Sequence, residues 1–207
     1  MKIKIILGLV FLSGCVSTAD IASMAKGMYN IPSSGTSQFD GTKHIRVSKM
    51  SCNRIEFELY QDTDKSNKGI VLLKAGSDSI VNIGDGQSLH IRLDDGVQSF
   101  KASSTITEHE TDSSRYGVSR SFSSKTYILP ESFVRKVAAS KIFLAKIHFL
   151  NNSYIEGQCS TMTFEEAQEL SKDKGVKVTQ EHLNISNSLV AMTGFRQFVI
   201  MMDSTEW

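Results

Sequence analysis

Proline is nearly absent from this chain: Pro32 and Pro130 are the only two in 207 residues. No proline-rich linker therefore separates two domains, and no repeat of fixed period stands out. Neither sign of charge is in excess, with 23 Lys and Arg against 22 Asp and Glu. A nucleic-acid binder would carry a basic stripe, so no nucleic-acid partner is expected. Cysteine occurs three times, as Cys15, Cys52 and Cys159, and never as Cys-x-x-Cys, which argues against a thiol redox site. No Gly-x-Ser-x-Gly elbow is present. The five histidines, His44, His90, His109, His148 and His182, show no His-x-x-x-His or Glu-x-x-His spacing. The expectation is no enzyme, no metal and no cofactor.

What is there begins at the N-terminus. Lys2 and Lys4 precede a short apolar run at 5–12 (IILGLVFL), followed by the small residues Ser13 and Gly14. Those are the three parts of an export signal. The run is about ten residues where a membrane-spanning helix needs roughly 20, so a permanent span is not expected.

The tetrad Leu12-Ser13-Gly14-Cys15 resembles the lipobox of bacterial lipoproteins. In that family the signal peptidase recognises the three residues before the cysteine. The resemblance implies that residues 1–14 are removed. It also implies that the Cys15 sulfur carries a diacylglyceryl group, with acyl chains such as palmitate. One acyl chain holds a protein only marginally, at about 0.8 kcal/mol per buried methylene, whereas two or three make attachment stable. Val16 and Ser17 follow the cysteine, and no aspartate stands there to favour inner-membrane retention. By family analogy, the outer membrane is implied, with the protein facing the periplasm. The resemblance covers only the first 15 residues and says nothing of the fold beyond them.

Removing Lys2 and Lys4 takes the formal charge from +1 to about −1, and roughly 190 residues remain, enough for one domain with a real core. In an oxidising compartment the remaining pair, Cys52 and Cys159, reads as one disulfide; the alternative is two separate buried thiols. Residues 15–40 are rich in Ser, Ala, Gly and Thr and read as a mostly mobile tether, leaving 41–207 as the domain.

From about residue 43 the apolar period is two. Ile45 and Val47 alternate with Arg46 and Ser48, and Ile55, Phe57 and Leu59 with Glu56, Glu58 and Tyr60. Further strands are expected near 70–73, 80–83, 89–93, 97–107, 116–129, 142–150 and 154–159. Gly/Asp turns such as 84–86 (GDG) and 94–96 (DDG) separate some of them. The polar stretch 108–114 (EHETDSS) reads as a hairpin tip, too flexible to preorganise His109 and its flanking glutamates as ligands. His90 and His148 fall on the polar side of strand patterns.

Pro130 suits a helix start, and 131–139 carries an apolar side. Thr163-Phe164-Glu165-Glu166 has capping-box spacing, and Gly175 suits the residue after a helix. A longer helix is expected from 184 or 186 to about 203. Phe195, Phe198, Val199, Ile200, Met201 and Met202 make it more apolar than one face requires. Either it is buried on two sides or part of it docks a partner or the membrane, and Trp207 could be packed or exposed.

The fold class expected is α+β, an antiparallel sheet or sandwich of about seven to nine strands with a short internal helix and C-terminal helices. The leading functional expectation is a non-enzymatic envelope lipoprotein, its domain binding an envelope protein. A small-ligand carrier with a cavity between sheet and helices is the runner-up, and an enzyme comes third.

Overall fold

The computed structural model describes residues 29–64, 67–113, 119–172 and 177–205. Leu12, Ser13, Gly14 and Cys15, the residues that resemble a lipobox, lie outside them, as do Gly175 and Trp207. Among the described residues ten strands form two antiparallel sheets, with four helices, and the fold is α+β.

The larger sheet runs, in spatial order, through β1 (Ile31–Thr36), β2 (Lys43–Cys52), β3 (Ile55–Asp62), β4 (Ile70–Ser77), β8 (Ser119–Pro130) and β7 (Glu108–Ser113). The smaller is β10 (Tyr154–Gln158), β9 (Leu144–His148), β5 (Gln87–Leu93) and β6 (Gly96–Lys101). Helix α1 (Glu131–Ala139) follows β8 directly, and α2 (Phe164–Lys172), α3 (Gln180–Leu189) and α4 (Ala191–Ser204) close the chain.

Period-two patterning accounts for the sheets. Ile55, Phe57 and Leu59 point into the core from β3, Val71, Leu73 and Ala75 from β4, and Leu89, Ile91 and Leu93 from β5. In β2 the inward set changes parity, from Ile45 and Val47 to Met50 and Cys52. A bulge between Val47 and Met50 supplies the extra residue, with Lys49 in the left-handed region at φ 56°. Phe57, Phe143 and Phe195 join the two sheets to α4. Phe195 meets both others edge-on, at 6.3 and 5.2 Å between centroids.

Several expectations change. The segment to residue 40 is not a tether throughout: Ile31–Thr36 pairs along β2 as an edge strand. Pro32 is tolerated because an edge strand needs its N–H groups on one side only. The polar stretch expected as a hairpin tip is strand β7, registered on β8 from Glu108↔Ser124 to Ser113↔Ser119. Lys74 on β4 holds both Glu108 and Glu110. Residues 80–83 give only a single bridge, Ile83↔Phe149, and β6 stops at Lys101.

The long C-terminal helix is two helices broken at Val190, which is extended and bridges to Ser51. Asn30 donates from Nδ2 to the Ser188 and Val190 carbonyls at 2.7 and 3.2 Å, taking up acceptors the break frees. In α4, Met192, Phe195, Phe198 and Met202 are buried while Ile200 is exposed, so most of the apolar excess is core. The capping box forms as expected: Glu166 N–H donates to Thr163 Oγ1 and Thr163 N–H to Glu166 Oε2.

Where the sheets meet, a polar cluster is buried. Ala102 bridges to Tyr127, whose hydroxyl lies 2.9 Å from Ser88 Oγ; burial pushes that phenol up to about 12. Next to Tyr127 in β8, the Lys125 side chain is fully enclosed, donating to Asp85 Oδ1 at 2.9 Å and the Gly84 carbonyl at 3.2 Å. Removing the carboxylate would leave a buried ammonium without its counter-charge. Asp85→Ala is therefore expected to cost about 3 kcal/mol in urea unfolding, although Asp85 itself is 55% exposed. An ordinary surface substitution stays within about 0.5 kcal/mol. A loss of that small size at Asp85 would mean water reaches Lys125.

Candidate functional site

The outward face of the smaller sheet follows from the same alternation that fills its core. Because Leu89 and Ile91 point inward, His90 and Arg92 point outward on β5; because Ala145 and Ile147 point inward, Lys146 and His148 do so on β9. Register then places these side chains together. His90 sits opposite Lys146 and opposite Ser99 on β6, while Lys146 and His148 sit opposite Glu156 and Tyr154 on β10.

The resulting array is closely coupled. His90 Nδ1 lies 2.7 Å from Ser99 Oγ. The His90 and His148 rings meet edge-on at 4.9 Å between centroids, and His148 lies 5.7 Å from the Tyr154 ring. Lys146 Nζ stands 4.3 Å over the Tyr154 ring and 2.5 Å from Glu156 Oε1. His90, Arg92, Lys146, His148 and Glu156 border an open groove of about 600 Å³, with Val97, Leu144 and Asn53 also in its lining.

Electrostatics sets the protonation states. Partial burial, then the neighbouring His148 and Lys146, hold the His90 imidazole below its ordinary value. The bond to Glu156 raises Lys146 and keeps it charged. Arg92, by contrast, has neither an ion pair nor a side-chain hydrogen bond among the described residues. The groove's lining thus presents one unpaired guanidinium, one paired ammonium and two imidazoles against a single carboxylate. Among the described residues no group of three or more His, Cys, Asp or Glu stands where it could hold a metal ion.

The other histidines are dispersed. His44 stacks on Tyr60, His109 Nδ1 lies 2.9 Å from Ser123 Oγ on the opposite sheet, and His182 occupies the first turn of α3. The two glycine-aspartate turns do structural work. Asp85 holds Lys125, and Asp94 accepts from the Lys141 and Ile142 amides at 2.9 and 2.8 Å. The sequence places His90 and His148 correctly on polar strand faces, but not beside each other. Alternation signals each residue's face; the β5–β9 register, which no local pattern carries, makes them neighbours.

Cys52 and Cys159 are joined in a buried disulfide, Cα–Cα 4.6 Å, tying the end of β2 to the residue after β10. Gly157 permits it: a Cβ there would run into the Cys52 carbonyl and approach its Sγ to 2.7 Å. No family, curated protein or solved structure matches the chain, so its function is read from its own residues and geometry.

Proposed function

We propose that this chain is a lipid-anchored bacterial cell-envelope lipoprotein. Cys15 holds it in the outer membrane, facing the periplasm, with a non-enzymatic domain that binds a partner of the envelope. The observation that carries the anchor is Leu12-Ser13-Gly14-Cys15 directly after a short apolar run. The Cys52–Cys159 bridge supports export, since such bonds persist in oxidising compartments. No helix among the described residues is long and apolar enough to cross a membrane.

Geometry favours an interaction module over a carrier with an internal cavity. The space between the sheets and α4, which such a carrier would need, is filled by Phe57, Phe143, Phe195 and Phe198. The concave surface lies outside, on the smaller sheet, open to solvent. An open, hydrated face suits recognition better than chemistry that depends on excluding water.

Cys15→Ala is expected to abolish incorporation of labelled palmitate and to leave an uncleaved precursor. Normal maturation of that variant would sink the anchor. Envelope crosslinking with the lipidated protein tests the partner: a specific protein captured by the wild type and lost with Cys15→Ala supports the module, and an identical background from both overturns it.

A further inference from the structure

We propose that the outer face of the smaller sheet binds the phosphate group of a soluble phosphate monoester, and that the His90–His148 pair takes up one proton on binding. The inference rests on reading this domain as a binding module and is independent of the Cys15 anchor.

The argument starts from charge and placement. In the register of β5 and β9, His90 faces Lys146 and Arg92 faces Leu144, which makes Arg92 and Lys146 diagonal neighbours. Diagonal neighbours in an antiparallel pair are about 7–8 Å apart, a span that one phosphate bridges with donors from both sides. Arg92 is exposed and unpaired among the described residues, and a guanidinium fork matches two phosphate oxygens at once. Val97 and Leu144 flank Arg92 in the lining, and the groove's volume of about 600 Å³ has room for the body of a sugar-sized ester.

Charge balance supplies the proton. Glu156 already neutralises Lys146, so Arg92 is the one uncompensated Lys or Arg among the residues lining the groove. A phosphate monoester is close to a dianion above its second pKa of about 6. Within the groove, the groups able to gain a second positive charge are the imidazoles of the His90–His148 pair. The ionisable groups facing that pair are Arg92 on β5, Lys101 on β6, Lys146 on β9, and Tyr154 and Glu156 on β10. Without a ligand, burial and the neighbouring cations favour neutral His90. A bound dianion reverses that balance, so affinity rises as pH falls from 8 toward 6.5 and levels off where the ester itself gains a proton.

Calorimetric titration of the full-length lipidated protein in detergent, at pH 7.5 with glucose 6-phosphate, tests this. Repeating it in two buffers of different ionisation enthalpy measures the proton uptake. Saturable binding with close to one proton gained per ligand is expected, with none for glucose. Arg92→Gln should weaken binding about tenfold, and His90→Gln with His148→Gln should remove the proton uptake. All three side chains lie on the outward face of the sheet, and unchanged thermal melting shows that the variants fold. No saturable heat, equal affinity in Arg92→Gln, or binding without proton uptake would each overturn the proposal. So would binding to vesicles containing phosphatidic acid but not to the soluble ester. Loss of Cys15 lipidation would leave these results unaffected, so failure of the anchor and failure of this site are separable.

Discussion

Replacing both Cys52 and Cys159 with alanine is expected to lower the unfolding free energy by about 4–5 kcal/mol. The two half-cystines are separated by 107 positions, so the bridge closes a loop that holds most of both sheets. Without it the unfolded chain regains the entropy of that loop, a term that grows with the logarithm of loop length. The bridge also sits at a junction. The Cys159 amide donates to the Phe143 carbonyl at 2.8 Å, and its own carbonyl accepts from Met192 at 3.1 Å, joining β2, the β9 approach and α4. A domain of this size is stable by about 5–15 kcal/mol in total, so the loss is a large share of what it has. Urea unfolding of the double variant, with and without reductant, reads the effect. Reductant should destabilise the wild type by a similar amount and leave the variant unchanged. A difference below about 1 kcal/mol would show that the closed loop contributes little.

Phe195→Ala is expected to cost about 3–5 kcal/mol, the range for truncating an enclosed aromatic residue. Phe195 has no exposed surface, and its ring meets Phe57 from the larger sheet and Phe143 from the approach to the smaller. Truncation empties the joint at which α4 and both sheets come together, and rigid strands on two sides limit collapse into the space. Ile200→Ala in the same helix serves as the control. Ile200 is 67% exposed, so its truncation should change stability by less than about 0.5 kcal/mol. Equal losses at the two positions would mean that helix propensity, not core packing, sets the contribution of α4.

The sequence carries a good deal of this arrangement. The alternation of Ile55, Phe57 and Leu59 names β3 and its buried side, and Pro130 marks the start of α1. Thr163 and Glu166 announce the first turn of α2, because capping depends on residues three positions apart. Cys52 and Cys159 are a legible pair because they are the two cysteines outside the N-terminal tetrad that resembles a lipobox.

Other features depend on partners elsewhere in the chain. The polar run of β7 has no apolar alternation, and it is a strand because Lys74 and the β8 backbone supply partners from elsewhere in the chain. Strand β1 reads as a linker because Ser, Gly and Pro are weak strand formers, and β2 holds it by main-chain pairing. The helix break at Val190 follows from a bridge to Ser51 and from Asn30, some 160 positions away.

The outer face of the smaller sheet divides the two kinds of information most clearly. Local alternation determined that His90, Arg92, Lys146 and His148 would face solvent, since each flanks residues that must be buried. Whether they stand together depends on which strands pair and in what register. Pairing is chosen by the packing of the opposite, apolar face, where Leu89 and Ile91 of β5 lie beside Ile147 and Ala145 of β9. The core therefore sets the neighbours of the surface, and only the tertiary structure made two distant histidines a pair.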